Sequence, residues 1–400
     1  MDPRYRPLYN RIYSEGFFQK FMGSLVQELG EFPFRVAETP LLLTPELRDW
    51  LARSATEIVG QLSQPERLEK LKRAIPRERD VPGMDPLPNC VQVDFALVQG
   101  PSGRLEGRVV ELQAFPSLYA LMSMMAEAWG RALNEVPELR ADWTCFIHQD
   151  RAQAMELMRR TIVGDCDPES VVLVDFEPEN QKTSPDFWAT QKMFGVDPVC
   201  VTKLVKRGRR LFREKGGKEV PVHRIYNRMV FDELDVKGVK PPFDWRDDLD
   251  ISWCSHPNWY WVWSKYALPF LDHPAIPRAR FLSDFQELPE DLSRYVLKPL
   301  FSFAGAGVVI DVTREAVDQV PAEQRGGWVL QEKIEYAPAI SMPDGNGVKV
   351  EVRMMLLRPP DARELKPILP LVRLSRGKML GVDFNKNLTW VGGTVGIFPG

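Results

Sequence analysis

The stretch Tyr295-Val-Leu-Lys298-Pro-Leu-Phe-Ser302-Phe-Ala-Gly305-Ala-Gly307-Val-Val-Ile310 decides how the rest of the chain is read. Tyr295 to Leu297 reads as a short buried strand with Lys298 at its end, and Val308 to Ile310 reads as a second apolar strand. A small-residue loop carrying Gly305 and Gly307 lies between them. Glycine lets backbone N–H groups approach a ligand closely, and an ammonium beside such a loop adds a point charge, so the stretch is a candidate holder of a polyphosphate. The spacing is neither that of the P-loop nor GxGxxG, so neither of those folds is implied. The bland reading of the same residues is a β-hairpin with a solvated lysine, and the choice turns on the neighbouring segments.

A chain of 400 residues suggests two or three lobes rather than one core. Its net charge of −3 gives no general electrostatic pull toward nucleic acid or an anionic membrane, so neither is expected as a partner. No apolar run approaches a membrane span, and Met1-Asp2-Pro3-Arg4-Tyr5-Arg6 lacks the apolar core of a signal peptide. The five cysteines are scattered and form no zinc pattern, which suits a reducing cytoplasm. With only four histidines, also scattered, any metal would be a hard cation held by carboxylate and amide oxygens.

Residues 5–75 read as mostly helical, and 1–85 as a helical N-terminal region. Tyr13 to Leu29 is amphipathic, Thr44-Pro45-Glu46 looks like an N-cap with proline at the first helical position, and Ala52 to Ile75 keeps helical spacing. This region is read as packing material. Residues 86–165 open with an alternating strand, Val91 to Leu97, a Gly/Pro/Ser turn and a second strand, Arg108 to Leu112, which together make a hairpin. Glu111 and Gln113 are two apart in a strand and share a face, so a carboxylate and an amide oxygen stand side by side as a Mg²⁺ position, with Asp94 on the other arm near enough to support it. A solvated hairpin face is the alternative. Leu118 to Trp129 is a Met-rich helix whose methionines read as core.

Residues 166–250 alternate strand and helix: Val171 to Phe176, the helix Ser184 to Phe194, and Pro198 to Thr202. Such alternation implies a parallel sheet with ligands at the strand ends. Arg228, after Tyr226-Asn227, stands at a strand end, where its fork-shaped guanidinium suits either a substrate carboxylate or a structural ion pair. In residues 251–400, Trp259 to Leu271 reads as a helix with Lys265 on its polar side, and the Trp/Tyr residues at 259–266 as an exposed segment. Strands follow at Trp328 to Ile334 and at Val348 to Leu357, the second with Glu351 and Arg353 on one face.

These pieces, in this order, resemble the ATP-grasp superfamily over about residues 90–400, specifically its circularly permuted branch, which includes eukaryotic-type glutathione synthetase and glutathionylspermidine synthase-like proteins. The resemblance implies an α/β (α+β) fold: two α+β lobes holding ATP between them, a small parallel-sheet α/β substrate domain, and here the extra helical N-terminal region. Val-Leu-Lys298-Pro with its glycine loop looks like the phosphate-binding strand and loop. Gln331-Glu332-Lys333-Ile334 resembles the hinge under the adenine, and Lys265 falls where the family keeps a nucleotide lysine. Glu351 and Arg353 resemble the carboxylate and arginine facing the triphosphate and metals. Arg373 with Gly392-Gly393 looks like the closing segment, and Arg228 like the substrate-domain arginine. Glu111-Leu-Gln113 looks like the family's metal-binding Glu-x-Asn placed early, as the permutation requires; Asp383, Asn385 and Asn387 occupy the non-permuted position and are the rival site. The chain departs from the pattern at Gln113 (asparagine in the motif), at Ser302 (an acidic metal ligand in the glutathione synthetases) and at Gln92 (an arginine).

The chemistry that the resemblance implies is a cytoplasmic, ADP-forming carboxylate–amine ligase using ATP and Mg²⁺. Lys265 and Lys298 would take the phosphates, Glu111, Gln113, Glu351 and Asp94 the metal, Arg353 and Arg373 the charge that develops in transfer, and Arg228 the accepting carboxylate. Its partners would be a small-molecule or peptide carboxylate and an amine, with a homodimer left open. A catalytically inactive nucleotide-binding or scaffold protein is the alternative, motivated by Ser302 and Gln113 and by the N-terminal helices.

Overall fold

The computed structural model describes residues 1–302, 306–377, 385 and 387–400. The chain opens with α1 (Arg6–Ile12) and α2 (Glu15–Leu29), the two-residue strand β1 (Leu41–Leu42), then α3 (Pro45–Leu62) and α4 (Pro65–Leu71). Ser14 accepts from the Phe17 amide at 3.2 Å and starts α2, which buries Phe18, Phe21, Leu25 and Leu29 along one stripe. Thr44 caps α3 in the same way at 3.3 Å, with Pro45 in the first turn. The expected continuous helix over 52–75 is broken at Ser63 and Gln64, because Pro65 cannot donate to the preceding turn and instead begins α4.

The hairpin follows as β2 (Cys90–Gln99) and β3 (Leu105–Gln113), then α5 (Tyr119–Asn134), β4 (Trp143–Thr144) and α6 (Arg151–Ile162). Next comes an α/β unit: β5 (Val171–Asp175), α7 (Ser184–Phe194), β6 (Asp197–Cys200), a meander of β7 (Val205–Arg207), β8 (Arg210–Lys215) and β9 (Lys218–Val222), then β10 (Arg224–Asn227), α8 (Phe231–Val236) and β11 (Ser252–Cys254). The last part holds α9 (Trp259–Val262), β12 (Ala279–Phe281), β13 (Tyr295–Pro299), α10 (Arg314–Asp318), β14 (Trp328–Glu332), β15 (Pro338–Ser341), β16 (Gly347–Leu357), β17 (Lys366–Ser375) and β18 (Gly392–Pro399).

These strands make four sheets. The largest runs β1-β18-β17-β16-β2-β3, so the early hairpin is the direct neighbour of strands from the far end of the chain. The parallel sheet expected in the α/β unit is present, in the order β11-β10-β5-β6. A small antiparallel sheet, β12-β14-β13, carries the opening stretch, and β7-β8-β9 form the fourth sheet. The N-terminal region is joined to the large sheet: β1 pairs parallel with β18, and Gly393 exchanges backbone hydrogen bonds of 2.9 Å with Arg35 and Ala37.

Two expected elements are absent. Val308 to Ile310 does not form a strand; Val309 makes a single bridge to Leu297. Trp259 to Leu271 is not one helix. The chain leaves the helical conformation at Trp263 and is extended at Ser264, whose side chain accepts from the Tyr266 amide, leaving the one-turn α9 and a 3₁₀ turn over Lys265–Phe270 that contains Pro269. Nor is this segment an exposed aromatic surface, because Trp259 and Trp263 are fully buried in the main core.

Candidate active site

Strand alternation divides the large sheet. Val93, Phe95, Val352, Met354 and Val372 join the main apolar core, against which α3 and α5 pack. The alternate residues face the other way, and register brings their charges together. Arg353 stands opposite Asp94, Asp94 opposite Glu111, Glu351 opposite Arg373, and Gln92 opposite Gln113. Asp94 is wholly buried and accepts from Arg353 Nε at 2.6 Å and Nη2 at 2.7 Å, a two-pronged contact, while Arg373 Nη2 donates to its second oxygen at 2.6 Å. The same Arg373 nitrogen bonds one oxygen of Glu351, and the hydroxyl of Tyr336 donates to the other at 2.9 Å. Burial would raise the Asp94 carboxyl, but Arg353 and Arg373 outweigh it and hold it below its ordinary value. Burial wins at Glu351, whose carboxyl is raised despite Arg373.

Lys298 is buried, not solvated. Its ammonium donates to Val110 O at 2.9 Å and to Gln331 Oε1 at 2.7 Å, and Gln331 Nε2 reaches Val109 O at 3.3 Å. Val110 is the extra residue of a β-bulge: Asp94 faces Glu111 and Phe95 faces Val109, so its carbonyl is free of the β2 ladder. The bulge thus gives the small sheet a point of attachment to β3. Burial lowers the Lys298 ammonium to a pKa of about 8. Lys265, projected by the 3₁₀ turn, donates to Ser302 O at 2.8 Å and lies 3.9 Å from Glu111.

Beside this face lies a cavity of about 1070 Å³, walled on one side by Glu111, Gln113, Lys265, Arg353 and Arg373 and on the other by the α/β unit. Arg228 lines that second wall. It bonds Pro116 O and, at 3.1 Å, Thr183 Oγ1, and its guanidinium lies over the rings of Phe115 and Phe187. Asp175, at the end of β5, also lines the cavity, and burial raises its carboxyl to about 7. Phe34, Arg35, Gly392 and Gly393 close one side. A Cβ on Gly392 would come within 2.3 Å of Arg35 O, so the contact between the N-terminal region and this segment requires glycine.

Lys298, Asp94, Glu351 and the expected hinge residues do not line this cavity. The Glu332 and Lys333 amides of the anticipated hinge are bonded to Arg278 O and Arg294 O, and neither they, Gln331 nor Ile334 line it. Gly307 has the positive φ of 73° expected of a tight loop; Gly305 and Asp383 lie outside the described residues. Asn385, whose Oδ1 accepts from the Arg376 and Gly377 amides at 3.0 Å, and Asn387 both line the cavity. Three contributors carried no sequence signal. Tyr336 is a lone aromatic in a loop, and Arg35 sits in a segment without a motif. Asp186 looked like an ordinary helix residue, yet it accepts from the Leu118 and Leu121 amides at 2.9 and 3.0 Å and so caps α5 from α7.

The proposed metal ligands do not form a cation cage as they stand. Among the described residues, no group of three or more His, Cys, Asp or Glu side chains could hold a metal ion. Both Asp94 oxygens accept from guanidinium groups, both Glu351 oxygens are bonded, Gln113 is bonded to Gln92 at 2.6 Å, and Glu111 has an ammonium beside it. The donor set does not fit a divalent cation in this arrangement.

No family model and no curated protein matches the chain. Among solved structures it is similar to a glutathione synthetase-like effector from Globodera pallida in its apo form. The TM-score is 0.56 and the identity 11%, over 91% of this chain and 96% of that one. The fold is therefore glutathione synthetase-like. At that identity the likeness carries the fold alone, without the role of any residue.

Proposed function

We propose that the protein is an ATP-dependent carboxylate–amine ligase of the ATP-grasp type, forming an amide through an acyl phosphate. One observation carries the reading: basic side chains from separate parts of the chain, Lys265, Arg353, Arg373 and Arg228, line one large cavity. The glutathione synthetase-like fold supports it. In this reading the triphosphate lies between the small sheet and the charged face, Lys298 and Lys265 neutralise its oxygens, and Arg228 orients the accepting carboxylate. Arg353 and Arg373 stabilise the charge spread over the transferring group. The chain's work is alignment and charge, so the amine needs no covalent enzyme intermediate. The carboxylates as placed do not fit a divalent cation, and the countercharge in this reading comes from the chain's own cations.

Titration calorimetry with ATP, followed by ADP release across a panel of acids and amines, tests this. The Lys298→Ala chain is expected to lose ATP binding, and unchanged affinity would remove Lys298 from the site. A second reading, a nucleotide-binding protein without ligation, is favoured by the engagement of Asp94 and Glu351 with arginines. Tight ATP binding with no ADP release on any acid–amine pair would select it.

A further inference from the structure

Around the charged face the chain supplies its own positive charge. Four cations, Lys265, Lys298, Arg353 and Arg373, stand among three carboxylates, Asp94, Glu111 and Glu351. Among the described residues, Lys298 is bonded only to neutral oxygens, those of Val110 and Gln331, so its charge is not cancelled by contact with them. The same holds for Arg228, held by Pro116 O and Thr183 Oγ1. Arg228 lines the cavity, where an anion can meet it; Lys298 is buried and does not line it, so it acts on an anion there through its field rather than by contact.

The carboxylates that would otherwise recruit a metal are committed elsewhere. Freeing Asp94 for a cation would leave the Arg353 guanidinium buried without its countercharge. Freeing Glu351 means breaking its contacts to both Arg373 and Tyr336. A cation at Glu111 would meet the Lys265 ammonium, which is 3.9 Å from that carboxylate and 2.8 and 3.4 Å from Ser302 O and Oγ. Lys265 therefore already fills the ground between Glu111 and Ser302 with positive charge. Like charges confined in a poorly solvated pocket repel strongly, so ammonium and dication compete for one position.

Resting on the nucleotide reading above, we infer that this site binds the polyphosphate of a nucleoside triphosphate without a divalent cation. Lys265, Lys298, Arg353 and Arg373 supply the countercharge that a metal would otherwise bring.

The test is calorimetric titration of the full chain with ATP, once in excess EDTA and once with Mg²⁺. The dissociation constants are expected to agree within about threefold. Weakening of about tenfold or more in EDTA overturns the inference and leaves the nucleotide reading standing. Absence of binding in both media overturns both. The Lys265→Met chain, titrated in EDTA, is expected to bind at least about tenfold more weakly than the parent, and equal affinity overturns the role given to Lys265.

Discussion

The two faces of the large sheet are made by the same strands and obey different physics. On β2 and β16, Val93, Phe95, Val352 and Met354 alternate with Asp94, Glu351 and Arg353. The first set is stabilised by removal from water and by close packing, which any apolar group of suitable volume supplies in part. The second set is held by specific pairing, in which each charge is tolerable only because its partner is present. The apolar face should therefore degrade gradually on substitution, while the charged face should fail when one partner is lost. A sheet with one such face can carry a site, since the other face alone anchors it to the helices.

The largest effect expected is at Asp94. Asp94→Asn removes the charge that pairs Arg353, leaving a buried guanidinium uncompensated, and should cost about 3 kcal/mol or more in urea unfolding. Arg373, with 37% of its side chain exposed and Glu351 still bonded, contributes little to that loss. A change below about 1 kcal/mol would mean that the ion cluster does not hold the sheet together. Next comes Met354→Ala on the opposite face, expected to cost about 2–3 kcal/mol through the cavity it leaves, while ATP affinity stays at the parent value. Loss of ATP binding by this variant would show that the two faces are not independent.

The third expectation is a pH dependence at Lys298. Its ammonium is depressed to about 8 from an ordinary value of 10.5 by burial, so the folded state disfavours the charged form. The penalty is fully present below about pH 8 and is relieved as pH rises toward 10.5. Relative to Lys298→Met, the parent chain should therefore gain stability across that window. A flat difference between the two denaturation profiles would show that the ammonium is not desolvated.

Sequence by itself determined what depends on near neighbours. Period-two alternation placed Glu351 with Arg353, and Glu111 with Gln113, on shared faces, and the Thr44-Pro45 cap marked a helix start. It also pointed to Lys265, Arg228 and Arg373, all of which line the cavity. Local pattern failed where a single proline outweighed helical spacing, at Pro65, and where the chain turned extended at Ser264 within an apparent helix. It failed too where burial was decided at a distance, as with Lys298 and the tryptophans Trp259 and Trp263. Only the tertiary structure decided that β16 lies between β17 and β2, which sets Arg353 against Asp94, 259 residues away in the chain, and Arg373 between Asp94 and Glu351. Alternation fixes which way a side chain points and says nothing about which strand lies alongside; that choice belongs to long-range packing of the apolar face. For this reason Asp94 and Glu351 looked like free metal ligands in the sequence and are arginine-bound in the fold.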